Sequence, residues 1–274
     1  MSKIKAYVSA DGVAQCNRTV TTWAAVRDET GTTDVTVSAA DRQRLQVGDN
    51  VHRGGTDYIN MRAFFCIDTS GIKDKPKSAT LYIHGYVAKD TDLIMVEASQ
   101  PGVGGTLTTA DYDAIVGLAA GATMDGNVRH YSATNATGRI PVSSWDTSDY
   151  NAIPLNDDAL ADIASKDRFQ FALINYPYDY LNNAPTSGTE TTGLMLVAAS
   201  SESDRPYIEY KPRWDYKEDS SPQYDSHEPN FDSNKYKKLS REYKRTTSQI
   251  PFSKGIKGPA NLRGRNTAYT ATKG

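Results

Sequence analysis

Alternation of apolar and polar residues with a period of two runs through several short segments of the first 210 residues and is absent from the rest of the chain. A period of two places successive side chains on opposite faces of a β-strand, so that one face can be buried. The clearest segment, 78–87, has Leu81 and Ile83 on one face and Tyr82, His84 and Tyr86 on the other. This pattern favours a β-rich fold.

Further strands are predicted between clusters of Gly, Pro, Asn and Asp, at 59–67, 92–98, 150–155, 169–174, 193–199 and 205–210. Two short helices are predicted, one after Leu107 and one capped by Asn156 with Leu160 and Ile163 on one side. Many short strands with few helices are typical of an antiparallel sandwich or jelly roll. The predicted fold class is therefore all-β, a jelly-roll-like antiparallel β-sandwich with one or two short helices and an extended C-terminal arm.

The charge of the chain changes sign where the alternation stops. Residues 1–210 hold 17 Lys and Arg against 26 Asp and Glu, a net charge of −9, and residues 211–274 hold 14 against 7, a net charge of +7. A polar segment without apolar periodicity cannot bury enough surface to fold alone. We therefore predict a sandwich body at 1–213 and an extended basic arm, containing aromatic residues, at 214–274.

Six cations of the arm fall within residues 235–245, interleaved with Tyr236 and Tyr243. Three interpretations remain open: a solvated tail, nucleic-acid binding through phosphate contacts and base stacking, and docking onto an acidic protein neighbour. The net charge of the body disfavours nucleic acid. The residues predicted to contact a partner are the cations and aromatic anchors of the arm: Trp214, Tyr216, Phe231, Lys235, Tyr236, Lys237, Lys238, Arg241, Tyr243, Lys244, Arg245 and Phe252.

Short motifs of common catalytic sites are missing from the sequence, including the nucleophile elbow, the zinc-protease helix and the Walker loop. Two cysteines and four histidines are too few for a disulfide framework or a histidine-rich metal cluster. We predict no catalytic residues, no metal and no cofactor, although a pair of glycosidase carboxylates from distant strands stays open. We expect Cys66 to be buried in a strand and Cys16 to lie in a polar loop.

The mean hydropathy of −0.59 and the lack of a long apolar run predict no membrane-spanning helix, so no membrane partner is expected. Residues 1–7 show neither a signal-peptide core nor a lipidation motif. We expect the protein to be made and retained in a cytoplasm.

Arg62 and the start of the last predicted strand carry structural expectations. Because Arg62 lies among apolar residues, we predict an ion pair that supports the fold, with Asp68 or Glu202 as its partner. Arg205 and Pro206 begin the closing strand, where a residue without an N–H suits a first or edge position.

The order of short motifs along the body is itself informative. Thr-Trp-Ala-Ala-Val-Arg at 22–27 precedes Arg-Ala-Phe-Phe-Cys-Ile-Asp-Thr-Ser at 62–70 and Ser-Ala-Thr-Leu-Tyr-Ile at 78–83, and the body ends on Ser-Ser-Glu at 200–202 and Arg-Pro-Tyr-Ile-Glu-Tyr at 205–210. This order resembles the disaggregatase-related, carbohydrate-binding-module-like β-sandwich domains, in the version found in tailed-phage virion proteins. The resemblance covers the body and not the arm.

The resemblance implies a non-enzymatic structural protein of a tailed-phage virion, as a capsid decoration, a collar or neck protein, or a fibre-attachment component. We expect the arm to bind capsid, portal, neck or fibre subunits, and the protein to self-associate within the virion. The alternative is a carbohydrate-binding module that recognises host or environmental glycans through exposed Tyr or Trp. An enzyme on a sandwich scaffold ranks third, because no catalytic set is visible in the sequence.

Overall fold

The computed structural model describes most of the body. The described residues are 3–19, 22–30, 34–38, 42–50, 57–85, 92–102, 104–143, 145–186, 190–197 and 203–213, and of 17–19, 42–50, 57 and 190–197 only the backbone is described. The predicted arm, with all of its predicted partner residues, and Glu202 lie outside the described residues.

Strands dominate the described residues, which confirms the predicted all-β fold class. The strands are β1 (Ile4–Thr19), β2 (Val35–Ser38), β3 (Arg42–Asn50), β4 (Asp57–Asp68), β5 (Ser78–His84), β6 (Leu93–Glu97), β7 (Arg139–Ile140), β8 (Tyr150–Pro154), β9 (Arg168–Asn175), β10 (Glu190–Val197) and β11 (Tyr207–Lys211). The helices are α1 (Ala24–Arg27) and α2 (Asp157–Ser165), with a 3-10 turn at Thr109–Asp111 and a π-helical turn at Tyr176–Tyr180. Among the described residues, no helix is both long and apolar enough to span a membrane.

The strands pair antiparallel in the order β7-β6-β9-β4-β1-β11-β5-β8, with β2 added to β1 and β3 joining β4 to β10. Strand β1 belongs to two layers. Its residues 4–7 pair with β11, and after an irregularity between Val8 and Ala10 it continues along β4. We call β8, β5, β11 and residues 4–7 of β1 the small sheet, and the other strands with the rest of β1 the large sheet.

The two sheets pack face to face over one core. Leu81 and Ile83 of the small sheet and Phe65 and Phe171 of the large sheet are fully buried in it. The Phe65 and Phe171 rings are stacked with centroids 5.1 Å apart. A shared core between two antiparallel layers is the arrangement of a β-sandwich.

A second apolar cluster covers the outer face of the large sheet. It includes Phe64 of β4, Trp23 beside α1 and Tyr180 of the π-helical turn. Cys16 belongs to this cluster and is fully buried in β1, so its predicted place in a polar loop is wrong. Cys66 is buried in β4 as predicted. Both faces of the large sheet are thus packed at β1, β4, β6 and β9, whereas the small sheet carries its outward side chains with only partial cover.

Helix α2 begins where the sequence predicts. The Asn156 side chain accepts a hydrogen bond from the Ala159 backbone N–H at 3.0 Å, which satisfies one of the free donors at the helix start. Leu160 and Ile163 on its inner side are buried in the core between the sheets. The other predicted helix is the 3-10 turn, whose first residue follows Thr108.

Candidate functional site

Four tyrosines gather on the outer face of the small sheet, and we call them the tyrosine cluster: Tyr7, Tyr82, Tyr150 and Tyr207. Three of them form a row across neighbouring strands, because Tyr207 lies opposite Tyr7 in β1 and opposite Tyr82 in β5. The Tyr207 ring centroid is 5.4 Å from that of Tyr7, 5.0 Å from that of Tyr82 and 5.3 Å from that of Tyr150. Such cross-strand aromatic pairs stabilise a sheet. Tyr207 at the centre is almost buried, and Tyr7 at the end is 45% exposed.

Tyr150 ties the edge of the small sheet to the segment before β11. It is the first residue of β8, and its hydroxyl donates to the backbone oxygens of Ser203 at 3.2 Å and Arg205 at 3.1 Å. Burial, with a smaller contribution from Tyr207, raises the pKa of Tyr150 to about 12. The hydroxyl therefore stays protonated at neutral pH and keeps the segment before β11 bonded to the edge of the small sheet.

Cations lie over the tyrosine rings. The Lys5 ammonium is 4.2 Å from the Tyr207 ring centroid, and the Arg205 guanidinium carbon is 5.8 Å from that of Tyr7. A hydrogen bond with Tyr207 is the main cause that raises the pKa of Lys5. Cations placed over aromatic rings are attracted by the negative ring face. Lys3 is paired with Glu209 at 3.2 Å, so the strand β1 side of this face combines phenol rings and hydroxyls with cations.

A cleft of about 390 Å³ opens beside the tyrosine cluster, at the edge of the small sheet. Tyr150 belongs both to the tyrosine cluster and to the lining of the cleft. The rest of its lining comes from β8, from β7 and from the segment around them: Thr134, Ile140, Pro141, Trp145, Asn151, Ala152, Ile153 and Pro154. The Trp145 indole N–H donates to the Pro141 backbone oxygen at 3.1 Å, which fixes the ring at the cleft wall. The cleft has the volume of a small-ligand site.

The cluster and cleft together suit a ligand that has both an apolar face and hydrogen-bonding groups. Sugar rings have this character, since one face presents C–H groups and the rim presents hydroxyls. Tyrosine and tryptophan match it because each combines an apolar ring with a polar atom. An extended peptide also has it, because its side chains alternate with backbone N–H and C=O groups.

Arg62 is buried on the opposite side of the molecule, and its ion-pair partner differs from the predicted one. The Arg62 guanidinium donates to the Asp179 carboxylate through Nε and Nη2, both at 2.7 Å. It also donates to the backbone oxygens of Tyr112 and Arg27, each at 2.8 Å. Burial opposes the charge, but Asp179 outweighs it and holds the pKa of Arg62 above its usual value. Asp68 instead accepts hydrogen bonds from Ser70, so the predicted pairing with Asp68 is wrong.

Arg205 lies just before β11, and its side chain contacts β1. Its Nε donates to the Val8 backbone oxygen at 3.0 Å, and the Val8 N–H donates to the Pro206 oxygen at 2.9 Å. These two hydrogen bonds join β1 to the start of β11 at the point where β1 changes sheet. Glu202 and the arm residues remain outside the described residues.

A further cluster of charged side chains, the charge cluster, links α2 to the large sheet through Glu97, Arg129, Asp162 and Lys166. Arg129 Nη2 contacts Glu97 at 2.9 Å and Asp162 at 2.7 Å, and Lys166 Nζ contacts them at 2.6 and 3.0 Å. The Tyr131 hydroxyl also donates to Asp162. Two carboxylates and two cations compensate one another, and this favours a structural role. Within the described part of the chain, no group of three or more His, Cys, Asp and Glu side chains is placed to hold a metal ion.

Sequence reasoning missed the residues of the cluster and cleft as a set. The alternation in 78–87 placed Tyr82 on the outer face, and the same parity applied to 205–210 would have placed Tyr207 there too. Trp145 lies outside any strand and gives no periodic signal. In comparisons with known proteins, no family model matches the chain and no curated protein matches it.

Proposed function

We propose that this protein is a non-enzymatic structural component of a tailed-phage virion, held to neighbouring subunits by residues 214–274. The observation that carries the proposal is the division of charge, with a net charge of −9 on residues 1–210 and +7 on residues 211–274. Opposite charges on two parts of one chain favour association between copies or with other acidic subunits. The order of motifs in the body supports the same class of protein.

The body has the properties that such a module needs. Its core is shared by two sheets, and the buried Arg62–Asp179 pair fastens the π-helical turn to β4. A body built this way keeps its surface in one shape while the chain that follows Arg213 makes the attachment. Capsid decoration, a collar or neck position and fibre attachment are all compatible with this arrangement.

The test replaces three arm cations together, as Lys237→Gln, Lys238→Gln and Lys244→Gln, in the full chain. We expect this arm variant to join phage particles at reduced occupancy, and the loss to resemble that of wild type at high salt, because charges are screened within about 8–10 Å near physiological ionic strength. The matched control removes the same charge from the body through Lys73→Gln, Lys75→Gln and Lys77→Gln, and should join normally. Normal occupancy of the arm variant would refute attachment by the arm.

Carbohydrate binding is the second candidate, and the tyrosine cluster with its cleft favours it. An array of glycans probed with the full chain should show saturable binding that is lost in Tyr7→Ala or Trp145→Ala. Val37→Ala is the matched control, since Val37 is 39% exposed against 45% for Tyr7 and belongs to β2 of the large sheet. Binding that survives both aromatic substitutions would exclude this face as the glycan site.

A further inference from the structure

The cleft lies between β7 and β8, where the two sheets are not joined by a described strand, and we call this place the seam. Strands β7 and β8 are the two ends of the strand order, and residues of both line the cleft, Ile140 from β7 and Tyr150 to Pro154 from β8. Among the described residues, no strand connects these two ends. An extended segment placed in the cleft would therefore lie where a further strand of the small sheet belongs.

The backbone of β8 presents hydrogen-bonding groups to this seam. Leu155 donates to Ala79, and Gly85 donates to Asp149, so residues 149 and 155 bond towards β5. In an antiparallel ladder the direction alternates, and the N–H and C=O of Ala152 therefore point away from β5. At the end of β8 the Pro154 oxygen already accepts a backbone hydrogen bond from Ala133 at 2.8 Å on this side. The Tyr150 N–H is bonded to the Asp149 carboxylate at 2.7 Å, and Pro154 has no N–H. Ala152 therefore supplies the outward donor to which an added strand would bond.

The surroundings of this edge are acidic, and its floor is apolar. Exposed aspartates flank β8 on both sides: Asp146 and Asp149 before it, and Asp157 and Asp158 after it. Lys75, 3.4 Å from Asp157, is a neighbouring cation. Ile140, Pro141 and Trp145 line the cleft opposite the strand. A basic extended segment with aromatic or apolar side chains is complementary to this arrangement.

We propose that residues 235–245 of a second copy of this chain add to the free edge of β8 and fill the seam. This inference rests on the proposed function, because it names the surface that receives the arm. The segment reads Lys-Tyr-Lys-Lys-Leu-Ser-Arg-Glu-Tyr-Lys-Arg, with cations on both faces of a strand and tyrosines seven positions apart, hence on opposite faces. A register that places Tyr236 or Tyr243 opposite β8 can bring one tyrosine to the cleft wall at Trp145, while neighbouring cations meet the aspartates.

The contact between one arm segment and one β8 edge involves few residues. Five residues of β8 accept a segment about 17 Å long, with few hydrogen bonds. Copies that each receive one arm and give one are joined at several points, and effective concentration then strengthens the assembly beyond a single contact. The proposal thus explains how a weak contact holds a particle protein in place.

The test measures binding of a fluorescently labelled peptide of residues 235–245 to the full-chain arm variant, whose own arm competes less for the site. We expect saturable binding that Ala152→Pro weakens by about tenfold or more, because proline removes the outward N–H while the bonds to β5 stay. Ala152→Val keeps the N–H at the same exposed position and should bind like the parent. Equal affinity of the Ala152→Pro and Ala152→Val proteins would overturn the proposal.

A second variant pair keeps the test decisive if Ala152→Pro fails to fold. Asp146→Asn with Asp149→Asn preserves the side-chain oxygens that accept hydrogen bonds from Ser148 and Tyr150, and removes two charges. We expect weaker peptide binding and a shallower dependence on salt. A scrambled peptide of the same composition that binds equally well, or an oligosaccharide bound at the cleft in place of the peptide, would overturn the proposal.

Failure of this inference is distinguishable from failure of the proposed function. If the peptide does not bind but the arm variant loses its place on particles, the arm anchors the protein on another surface. If the peptide binds at β8 and the arm variant still joins particles at normal occupancy, the site exists and the attachment proposal is wrong.

Discussion

Arg62 and Asp179, 117 residues apart in the sequence, form two parallel hydrogen bonds of 2.7 Å with both side chains fully buried. The pair joins β4 to the π-helical turn and also holds the backbone of α1 through Arg27. A planar guanidinium is suited to this role because it binds a carboxylate at two points and still has donors for backbone oxygens.

Loss of this pair should be severe. Arg62→Met removes both side-chain hydrogen bonds to the buried Asp179 carboxylate and leaves Arg27, whose Nε is 3.6 Å from Asp179 Oδ1, as its remaining cation. We expect the free energy of unfolding to fall by about 3–5 kcal/mol. Urea unfolding measures it. The control is Lys73→Met, because Lys73 and Asp167 are 3.9 Å apart with side chains 75% and 81% exposed. Such exposed pairs contribute about 0–1 kcal/mol. A comparable loss in both variants would contradict the role assigned to Arg62.

A substitution at the start of α2 should have a smaller effect on the free energy of unfolding. Asn156→Ala removes the cap on the Ala159 N–H and the hydrogen bond to the His130 oxygen at 2.7 Å. We expect a loss of about 1–2 kcal/mol in the free energy of unfolding, together with faster hydrogen exchange at Ala159. Asn156→Ser keeps a capping oxygen and should restore the slow exchange at Ala159. Unchanged exchange in Asn156→Ala would show that the cap is not needed.

At alkaline pH the contribution of the Tyr150 hydroxyl to the stability of the fold should be lost. Its pKa is raised to about 12 in the folded protein, against about 10 for an unfolded tyrosine, so its contribution is complete below pH 10 and is lost as the pH rises towards 12. Tyr150→Phe should lower stability at pH 7 by about 1 kcal/mol and shrink that difference as the pH rises. Chemical unfolding at pH 7, 9, 10.5 and 11.5 measures both proteins. A constant difference across this range would contradict the assignment.

Acid should weaken the charge cluster. Burial opposes ionisation of Asp162, but hydrogen bonds from Tyr131 and Lys166 and the nearby cations outweigh it and hold its pKa below the usual value. Its contribution is present above about pH 3.9 and is lost as the pH falls further. In thermal unfolding, Asp162→Asn should therefore be clearly less stable than wild type at pH 7, and the difference should narrow as the pH falls below about 4. A gap that persists at low pH would show that packing, not charge, explains the loss.

Period-two alternation in 59–67 and 78–87, together with the turn-forming clusters between the other segments, was sufficient to predict β4, β5, β6, β8, β9, β10 and β11, with ends displaced by no more than three residues. It was insufficient for β1, because that strand changes sheet at Val8 and Ala10 and its inward side chains change parity there. Asp11, Gly12 and Gln15 further dilute its apolar signal, which explains why Cys16 was placed in a loop.

Long-range partners were beyond sequence reasoning for a different reason. The apolar neighbours of Arg62 correctly indicated a buried ion pair. Asp179, however, lies in a Tyr-Pro-Tyr-Asp-Tyr segment that has no strand or helix pattern, and only the fold of the π-helical turn brings it to Arg62. The tyrosine cluster likewise forms from four strands whose register the sequence alone does not determine.

Strand β11 lies between β1 and β5, and the chain continues from its last residues towards position 214. Tension applied along this exit would act parallel to the strand and would have to shear the hydrogen bonds on both of its sides together. Because β1 runs on into the large sheet, the pull would spread into both layers. If residues 214–274 attach the protein as we propose, the body would be held at a mechanically resistant point.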